Sequence, residues 1–330
     1  MQTEPYNEHD GIYAKGIHAM HYTTLGRTGL RVSVMGFGSG GPSRAGLKTG
    51  KSEAEQVAII RQAIDAGVNF IDTAEAYETE GVVGQAISGL DRSSVIISTK
   101  KRTWGGSLTP QQLEEGLHDS LKRLQTDYID IYHLHAVQPD SYETLTETLV
   151  PTLQKLRDRG KIRFLGVTEQ GNNDAGHAML QRALQDDVWD VMMVMFNILN
   201  QSARERVFAR AQEKNIGILD MFAVRRALSR PERLREVIQD LIAKGQVNPN
   251  EIDQSDSLGF VMRDDGAVSI TDAAYRFCRD EPGVHVVLSG TGDPAHLQEN
   301  LASFERPPLP NNTVQRLKHI FRNVDSVSGE

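Results

Sequence analysis

The sequence predicts an α/β fold in which eight parallel strands alternate with helices and close into a (β/α)8 TIM barrel. The chain has 330 residues, a length that such barrels reach as a single domain. Short apolar runs alternate with helical patterns of about 10–15 residues, which is typical of βα units around a parallel sheet. No linker-like stretch interrupts the series. We therefore expect one barrel with long rim loops over residues 21–330, preceded by an N-terminal extension, a polar arm over residues 1–20.

The strands are predicted from apolar runs rich in β-branched and aromatic residues. They lie at residues 32–37, 68–71, 94–99, 128–134, 162–167, 191–195, 216–219 and 284–288. The helices are predicted at residues 53–66, 82–87, 110–124, 145–156, 175–184, 203–212, 231–243, 271–278 and 294–301. Residues 245–268 are polar and irregular, so we expect a rim loop that forms either a wall of a pocket or an oligomer contact.

The helix at residues 110–124 has the clearest start signal. Thr109 is a suitable N-cap, Pro110 takes the first helical position, and Gln112 closes a capping box. Leucines then recur at spacings of four, four and three residues along one face of the helix. They are Leu113, Leu117, Leu121 and Leu124.

Composition excludes several classes of protein. Asp and Glu number 44 against 36 Lys and Arg, a net charge of -8, which argues against nucleic acid or an anionic membrane as the main partner. Cys278 is the one cysteine, so no internal disulfide can form and a reducing compartment is expected. No apolar run approaches the roughly 18 residues of a membrane span, and residues 1–16 lack the pattern of a signal peptide. We expect a cytoplasmic protein, and the sequence leaves a homo-oligomer open.

A glycine motif follows the first predicted strand and matches the dinucleotide-binding pattern G-x-G-x-x-G. The motif is Gly36-Phe37-Gly38-Ser39-Gly40-Gly41. In a Rossmann fold a helix opens directly at those glycines, but here Pro42 and two further glycines intervene, and the helical pattern starts only after Ser52. We therefore interpret the motif as a tight passage from strand to loop, where glycine permits close approach to the backbone.

Four polar side chains follow successive predicted strands. Asp72 and Lys100 each end a strand, His135 ends the next, and Tyr77 lies five residues after Asp72. In a parallel barrel the carboxyl ends of all strands meet at one rim, where active sites are built. A single charged residue at a strand end is usually a solvated rim charge, but four such groups in succession predict one site.

The chemistry of these four groups is mutually consistent. A Tyr hydroxyl has a pKa of about 10 and is a poor proton donor at neutral pH. An adjacent Lys100 ammonium is expected to lower the pKa of Tyr77, because it stabilises the phenolate. Asp72 would keep that ammonium charged, and a neutral His135 can donate a hydrogen bond to a carbonyl oxygen. Together they form a site that protonates a developing alkoxide. His133 should point to the same face as His135, as barrel filler or a hydrogen-bonded core residue.

At these residues the chain resembles the aldo-keto reductase superfamily. The matching stretches are Leu25-Gly26 with Gly29-Leu30-Arg31-Val32-Ser33 and Gly36-Phe37-Gly38, Phe70-Ile71-Asp72-Thr73-Ala74 with Tyr77, Ser98-Thr99-Lys100, Tyr128-Ile129-Asp130-Ile131-Tyr132 with His135, Ile162-Arg163-Phe164-Leu165-Gly166-Val167, and Ser289-Gly290-Thr291 with Leu297-Gln298-Glu299-Asn300. The resemblance covers about residues 22–305 in order. It implies a (β/α)8 barrel that binds NADP(H), or NAD(H) in some members, and transfers hydride between the nicotinamide and a carbonyl or alcohol carbon.

The resemblance assigns roles to the four polar groups. Tyr77 would be the general acid in reduction, tuned by Lys100 and Asp72, and His135 would orient the carbonyl of a small-molecule substrate. Trp104, in the loop after Lys100, would form an apolar wall of the substrate pocket or else anchor the loop. No metal is expected, since His133 and His135 lack carboxylate or Cys partners at ligand-like spacing. A metal-dependent barrel hydrolase or isomerase is therefore disfavoured.

The resemblance also implies a set of cofactor-binding positions. Gly38 and Ser39 would border the nicotinamide and ribose, and Phe196 would stack on the nicotinamide where the family usually has Tyr. Glu299 and Asn300 would meet the adenine. The pyrophosphate and phosphate would lie near Phe222, Val224 and Arg225, and near Gly290, Thr291 and the helix capped by Asp293. The full set is Gly38, Ser39, Asp72, Thr168, Glu169, Met193, Phe196, Phe222, Val224, Arg225, Gly290, Thr291, Asp293, His296, Glu299 and Asn300.

Besides Phe196, several of these positions depart from the family pattern. Thr168 and Glu169 stand where Ser-Asn commonly holds the carboxamide, and Met193 replaces a Gln. Near the expected 2′-phosphate the chain has Asp293 and His296 rather than Lys or Arg. NADP(H) is the expected cofactor on family frequency, with NAD(H) as the alternative. A cofactor-binding regulatory protein with little turnover is the alternative function, although all four polar groups are present.

Overall fold

The computed structural model describes residues 20–105, 107–263 and 266–330. Of the predicted polar arm, residues 1–19 lie outside the described part. An antiparallel hairpin comes first, formed by β1 (Tyr22–Thr24) and β2 (Arg31–Ser33), in which Tyr22 pairs with Ser33. Eight parallel strands then close into a barrel in which each strand pairs with its neighbours in sequence and the last pairs with the first. The predicted (β/α)8 barrel is confirmed.

The barrel strands agree with the predicted runs to within a few residues. They are β3 (Met35–Gly38), β4 (Phe70–Asp72), β5 (Ile96–Arg102), β6 (Ile129–Val137), β7 (Ile162–Glu169), β8 (Val191–Met195), β9 (Gly217–Met221) and β10 (Val286–Ser289). The run predicted at residues 32–37 divides into β2 and β3, because its first part pairs with β1 rather than entering the barrel. Gly29, at φ 69°, provides the left-handed residue in the hairpin connection.

Helices surround the barrel. They are α1 (Glu53–Asp65), α2 (Glu80–Ile87), α3 (Pro110–Leu124), α4 (Tyr142–Asp158), α5 (Ala178–Ala183), α6 (Ala209–Glu213), α7 (Arg226–Ser229), α8 (Pro231–Ala243), α9 (Ile270–Arg279), α10 (Pro294–Glu305) and α11 (Asn311–Ile320). The predicted capping box of α3 is present, with Thr109 accepting from Gln112 N and Gln112 accepting from Thr109 N. A π-helix at Arg204–Phe208 replaces the first part of the helix predicted at residues 203–212.

Two helical predictions were incomplete. The helix expected at residues 175–184 begins only at Ala178, because His177 adopts a left-handed φ of 61° at its N-cap. The sequence analysis did not predict α7 or α11. In the loop at residues 245–268 the described residues form only a short 3-10 turn, Gly259–Met262, so the long rim loop is confirmed while its role stays a prediction. Within the described ranges, no helix combines the length and apolar character needed to cross a membrane.

The apolar side chains form two cores. One fills the amino-terminal half of the barrel interior and is closed below by side chains of the hairpin region. It contains Leu25, Leu30, Val32, Phe70, Ile96, Ile131, Val191, Met193, Leu219 and Val286. The other, larger core lies between the outer face of the strands and the helices. This filled interior leaves the carboxyl-terminal mouth of the barrel as the place for a site.

Candidate active site

The structure brings the four predicted polar groups together at the mouth of the barrel. Asp72 ends β4, Lys100 and His135 lie in β5 and β6, and Tyr77 ends the 3-10 turn that follows β4. Strands β4, β5 and β6 are neighbours in the barrel, which is why residues separated by up to 63 positions in sequence meet here. The predicted clustering is therefore present.

Lys100 and Asp72 form a buried ion pair. The Lys100 Nζ donates to Asp72 Oδ1 at 2.7 Å and Oδ2 at 2.6 Å, and to the carbonyl oxygen of Thr73 at 2.7 Å. Burial raises the pKa of Asp72 and lowers the pKa of Lys100, while attraction between the two charges offsets part of both changes. All three ammonium protons are used in these contacts.

Tyr77 contacts His135 rather than Lys100. Its hydroxyl lies 3.3 Å from His135 Nε2, and the two rings meet edge to face with centroids 5.4 Å apart. The Lys100 Nζ is 5.0 Å from the Tyr77 ring centroid. Burial and the Asp72 carboxylate raise the pKa of Tyr77 well above its usual value, with Arg44 opposing them. The expected lowering of the Tyr77 pKa is therefore not found in this arrangement, because burial and the charge of Asp72 outweigh the effects that would lower it.

A β-bulge holds His135 in place. The pairing of β6 with β7 shifts register between Leu134 and Val137, and Ala136 has a left-handed φ of 56°. Thr168 Oγ1 accepts from Ala136 N at 2.7 Å, and Thr103 Oγ1 donates to His135 O at 2.7 Å. Thr168, expected at the carboxamide, is thus buried and fixes the backbone that carries the imidazole.

Two other features define the surroundings of His135. Burial, followed by the charge of Lys100, keeps the pKa of His135 well below its usual value, so its ring is neutral. The Trp104 ring meets the imidazole edge to face at 5.0 Å and is 45% exposed, consistent with the predicted pocket wall. The His135 Nδ1 is buried without a hydrogen-bond partner.

The glycine motif shapes the floor beneath Tyr77. A Cβ on Gly40 would lie 2.5 Å from the Tyr77 ring, so glycine is needed for the backbone to pass under the phenol. Ser39 is fully buried: its N and Oγ both donate to Asp72 O, and its Oγ also contacts Thr79 Oγ1 at 2.8 Å. Ser39 therefore supports β4 rather than exposing its side chain to a ligand. The next helix, α1, starts only at Glu53, which excludes the Rossmann interpretation.

Phe196 does not reach the mouth of the barrel. It is completely buried, stacked on Phe277 at 5.8 Å and edge-on to Phe208 at 5.2 Å, within the layer between barrel and helices. The stacking of Phe196 on a nicotinamide stays a prediction, and the ring is packed among other aromatic side chains in this structure. Phe222, one residue past the end of β9, is half-buried and has the left-handed φ of 74°. Its ring approaches Gly171 in the loop after β7, and the Arg225 guanidinium lies over the ring.

Glu169 and Met193 also differ from expectation. The Glu169 oxygens lie 3.0 Å from His177 Nδ1, and Oε1 accepts from Met195 N at 2.7 Å, so the carboxylate is committed within the protein. Met193 belongs to the inner core at the amino-terminal half of the barrel, since inward positions of β8 alternate along the strand. Neither side chain is free to hold a carboxamide.

The loop after β10 packs tightly against the loop after β3. A Cβ on Gly290 would lie 2.2 Å from Gly38 O, and one on Gly292 would lie 2.4 Å from Gly46 Cα. Asp293 caps α10 as predicted, with Oδ1 accepting from Ala295 N at 2.8 Å. On α10, Asn300 is buried and donates to Ser289 Oγ, whereas His296 and Glu299 are exposed.

Residues 325–330 lie across the loops that follow β7, β8 and β9. Asn197 and Asn200 donate to the carbonyl oxygens of Ser328 and Val327 at 3.2 and 2.9 Å, and Ala227 N donates to Gly329 O at 2.9 Å. The Glu330 carboxylate contacts Arg225 and Arg226. The Arg225 guanidinium lies 3.9 Å from the Phe222 ring centroid, and the preceding Val224 is half-buried. The sequence analysis did not predict this covering segment, because its contacts are with distant loops.

Ser98 and His133 are further polar residues of the site that the sequence analysis did not assign to it. Both are fully buried, and each lies two residues before a predicted site residue on the same strand, Lys100 or His135. That spacing is the signal that could have found them, because side chains two apart on a strand share a face. His133 was predicted only as a core residue, and that placement is confirmed.

Comparison with known proteins gives the following matches. A sequence model of the Aldo/keto reductase family matches residues 34–322. L-galactose dehydrogenase of Arabidopsis thaliana is 37% identical over 152 residues, which are 44% of this chain and 47% of that protein, about half its length. Aldo-keto reductase YhdN of Bacillus subtilis (strain 168) is 28% identical over 307 residues, 84% of this chain and 87% of that protein. The holo form of aldo-keto reductase AKR11C1 from Bacillus halodurans has the same fold, with a TM-score of 0.70, 23% identity and coverage of 93% of this chain and 98% of that one.

Proposed function

Because this chain belongs to the Aldo/keto reductase family, it is an NAD(P)H-dependent oxidoreductase, and we propose that it reduces aldehydes or ketones to alcohols, or catalyses the reverse reaction. Tyr77 is the general acid of this proposal, and His135 orients the carbonyl. Asp72 and Lys100 control the charge beside them. The contact that supports this proposal most directly is that of the Tyr77 hydroxyl with His135 Nε2, at 3.3 Å, at the mouth of the barrel.

A neutral His135 leaves the Tyr77 proton available. With a proton on Nε2, the imidazole donates and the Tyr77 oxygen accepts, so the phenolic hydrogen is free to point at a substrate oxygen. When a substrate enters, this Nε2–H can turn from the Tyr77 oxygen to the carbonyl oxygen and orient it. This tautomer leaves Nδ1 bare, which agrees with its lack of a partner.

The raised pKa of Tyr77 suits a proton donor. The phenol stays protonated at neutral pH until negative charge develops on the carbonyl oxygen, and it then transfers its proton to that oxygen. The phenolate that remains lies near the Lys100 ammonium, whose charge is maintained by the bidentate contact with Asp72. Lys100 thus acts on the product of the proton transfer rather than on the resting phenol.

The mouth of the barrel fits a pyridine nucleotide in two respects. Phe222 is a half-buried aromatic residue at this rim, and Arg225 with the capped amino terminus of α10 supplies partners for phosphate. The chemistry that a reduced nicotinamide supplies when bound is a hydride for the carbonyl carbon. The carboxamide contact must differ from the family pattern, since Thr168 and Glu169 are engaged elsewhere.

NADP(H) is the proposed cofactor, with NAD(H) as the alternative. The Asp293 carboxylate is engaged in capping α10, which reduces its repulsion of a 2′-phosphate. The loop that packs on Gly292 is followed by Lys48 and Lys51, whose ammonium groups lie 3.8 Å from Glu78 and 3.1 Å from Glu55. These exposed ion pairs are weak, so either lysine could exchange its carboxylate for a 2′-phosphate.

The proposal is tested by separating nucleotide binding from turnover. Quenching of protein fluorescence is titrated with NADPH and NADH, and oxidation of each is followed over a panel of aldehydes, ketones and aldose sugars. The sugars are included because one relative is named L-galactose dehydrogenase. We expect binding of at least one nucleotide and turnover with part of the panel. Binding without turnover in either direction would favour the regulatory function instead.

A further inference from the structure

We propose that Ser98 and His133 are positioning residues for this reaction, which hold the Asp72 carboxylate in the orientation that carries the Lys100 ammonium. The inference rests on the proposed function, since it concerns residues that act on the catalytic groups from below. Ser98 lies in β5 and His133 in β6, each facing the barrel interior. Both lie deeper in the barrel than Lys100 and His135, which follow them on the same strands toward the mouth.

The hydrogen bonds form a directed chain. The Ser98 Oγ donates to Asp72 Oδ1 at 2.8 Å and lies 3.1 Å from His133 Nε2. A hydroxyl has only one proton, so the Ser98 oxygen must accept from His133 Nε2–H. In this assignment His133 carries its proton on Nε2. The imidazole donates to Ser98, and Ser98 donates to the Asp72 carboxylate.

The charges around His133 agree with this direction. Burial lowers the pKa of His133 well below its usual value, followed by the charges of Lys100 and His135, while a backbone contact with Val167 opposes them. The ionisable groups that face it are Lys100 on β5, His135 on β6, and Asp72 on β4 through Ser98. On β7 the residues packed against it, Gly166 and Val167, bear no ionisable side chain. A neutral donor is therefore the stable state beneath the Lys100 ammonium.

Gly166 provides the space that the imidazole needs. His133 pairs with Gly166 across β6 and β7, and a Cβ at that position would lie 2.2 Å from His133 Nδ1. The Nδ1 is buried without a hydrogen-bond partner, as expected if it carries no proton. Glycine is therefore needed at residue 166, because any larger residue would displace the imidazole that donates to Ser98.

The consequence for catalysis follows from the coupling of Asp72 and Lys100. Asp72 Oδ1 accepts from both Lys100 and Ser98, and hydrogen bonds to a carboxylate stabilise its charged form. Without the Ser98 donor the pKa of Asp72 rises, so the carboxylate ionises only at higher pH. The acidic end of the pH range in which Asp72 and Lys100 are both ionised therefore moves to higher pH, and with it the acidic end of the range of full activity.

The test compares Ser98→Ala and His133→Leu with their conservative partners Ser98→Thr and His133→Gln, which keep a donor at each position. We expect Ser98→Ala to reduce kcat about tenfold while KM changes less than about twofold. The acidic limb of the kcat profile should move to higher pH, because the pKa of Asp72 rises when the Ser98 donor is lost. Ser98→Thr and His133→Gln should recover part of the loss. His118→Gln, on the exposed face of α3, is the control and should match wild type.

A second readout does not depend on activity. In protein with 15N-labelled histidine, His133 should keep a neutral ring with hydrogen on Nε2 from about pH 5 to 9. An imidazolium, or hydrogen on Nδ1, overturns the proposal. The proposal is also overturned if Ser98→Ala and His133→Leu keep the wild-type kcat and the wild-type pH dependence of kcat while Tyr77→Phe is inactive. If Tyr77→Phe also retains full turnover, the proposed function itself fails.

Discussion

The Glu169 carboxylate and the His177 imidazole form a fully buried pair, with Nδ1 3.0 Å from both carboxylate oxygens. Ser202 Oγ lies 3.0 Å from the other ring nitrogen, and Met195 N donates to Glu169 Oε1. The pair joins the end of β7 to the start of α5, and Met195 belongs to β8. It is therefore a structural element at a position where the family resemblance suggested a cofactor contact.

Glu169→Gln should cost stability and spare nucleotide binding. Replacing the carboxylate that accepts from Met195 N and contacts His177 should lower the free energy of unfolding by about 2 kcal/mol, measured by denaturant titration. The nucleotide Kd, measured by fluorescence, should change less than about twofold, because the carboxylate is not available to the carboxamide. Glu205→Gln, at an exposed site, is the control. If Glu169→Gln has wild-type stability but binds the nucleotide about tenfold more weakly, Glu169 contacts the cofactor.

Phe222 and Phe196 form a matched pair for locating the aromatic contact of the cofactor. Phe222→Leu should weaken nucleotide binding about fivefold with little loss of stability, because its ring stands at the mouth. Phe196→Ala should lower the free energy of unfolding by about 3 kcal/mol through cavity formation, with an unchanged Kd for the folded protein. If Phe196→Ala weakens nucleotide binding while Phe222→Leu leaves it unchanged, Phe196 is the stacking residue.

Asp220 makes stability depend on pH. It is fully buried, its Oδ1 accepts from Phe196 N at 3.1 Å, and its Oδ2 has no partner. Burial raises its pKa well above the usual value, so on raising the pH the unfolded chain ionises first and the native state loses stability. Asp220→Asn should therefore stabilise the protein by about 1 kcal/mol or more at pH 7, and the gain should vanish below about pH 4.

Asp187→Asn is the control for Asp220→Asn, because its effect on stability at pH 7 should have the opposite sign. Hydrogen bonding to Arg27 lowers the pKa of Asp187, so this carboxylate stabilises the native state above its unfolded pKa and loses that contribution as the pH falls. The variant should be slightly less stable than wild type at pH 7 and equal to it in acid. Equal behaviour of the two variants in thermal melts across this pH range would contradict both assignments.

Glu330 neutralises arginines that a nucleotide phosphate would need. Its carboxylate contacts Arg225 and Arg226, and its O accepts from Arg233 Nε at 2.9 Å. Glu330→Gln should tighten nucleotide binding by about twofold to fivefold, because these partly exposed pairs are modest in strength. Arg225→Gln should weaken it. If Glu330→Gln weakens binding to the same extent, the segment holds the nucleotide instead of competing with it.

The barrel and the four polar groups could be predicted because both follow from local pattern. Alternation of apolar runs sets the βα units, and the carboxyl ends of parallel strands place Asp72, Lys100 and His135 at one rim. Contacts through space could not be predicted in this way. Phe196 and Phe222 each stand one residue past a strand, yet one turns into the helix layer and the other, at φ 74°, toward the mouth.

The charge state of the site was hidden from the sequence for a similar reason. The presence of Lys100 near Tyr77 suggested a lowered phenol pKa, but burial of the phenol and the charge of Asp72 raise that pKa. The depth at which a side chain is buried follows from the assembled barrel and cannot be seen in the local sequence. Likewise, nothing in the local sequence shows that Thr168 holds the bulge of His135.

Transient kinetics of Tyr77→Phe test the proton donor most directly. Protein preloaded with reduced nucleotide is mixed with an aldehyde that the wild type reduces, and the first turnover is followed by loss of nicotinamide absorbance. The account predicts a rate at least about a hundredfold slower than wild type, with a nucleotide Kd within about twofold. A first-turnover rate within tenfold of wild type would contradict it, since the proton would then come from another group.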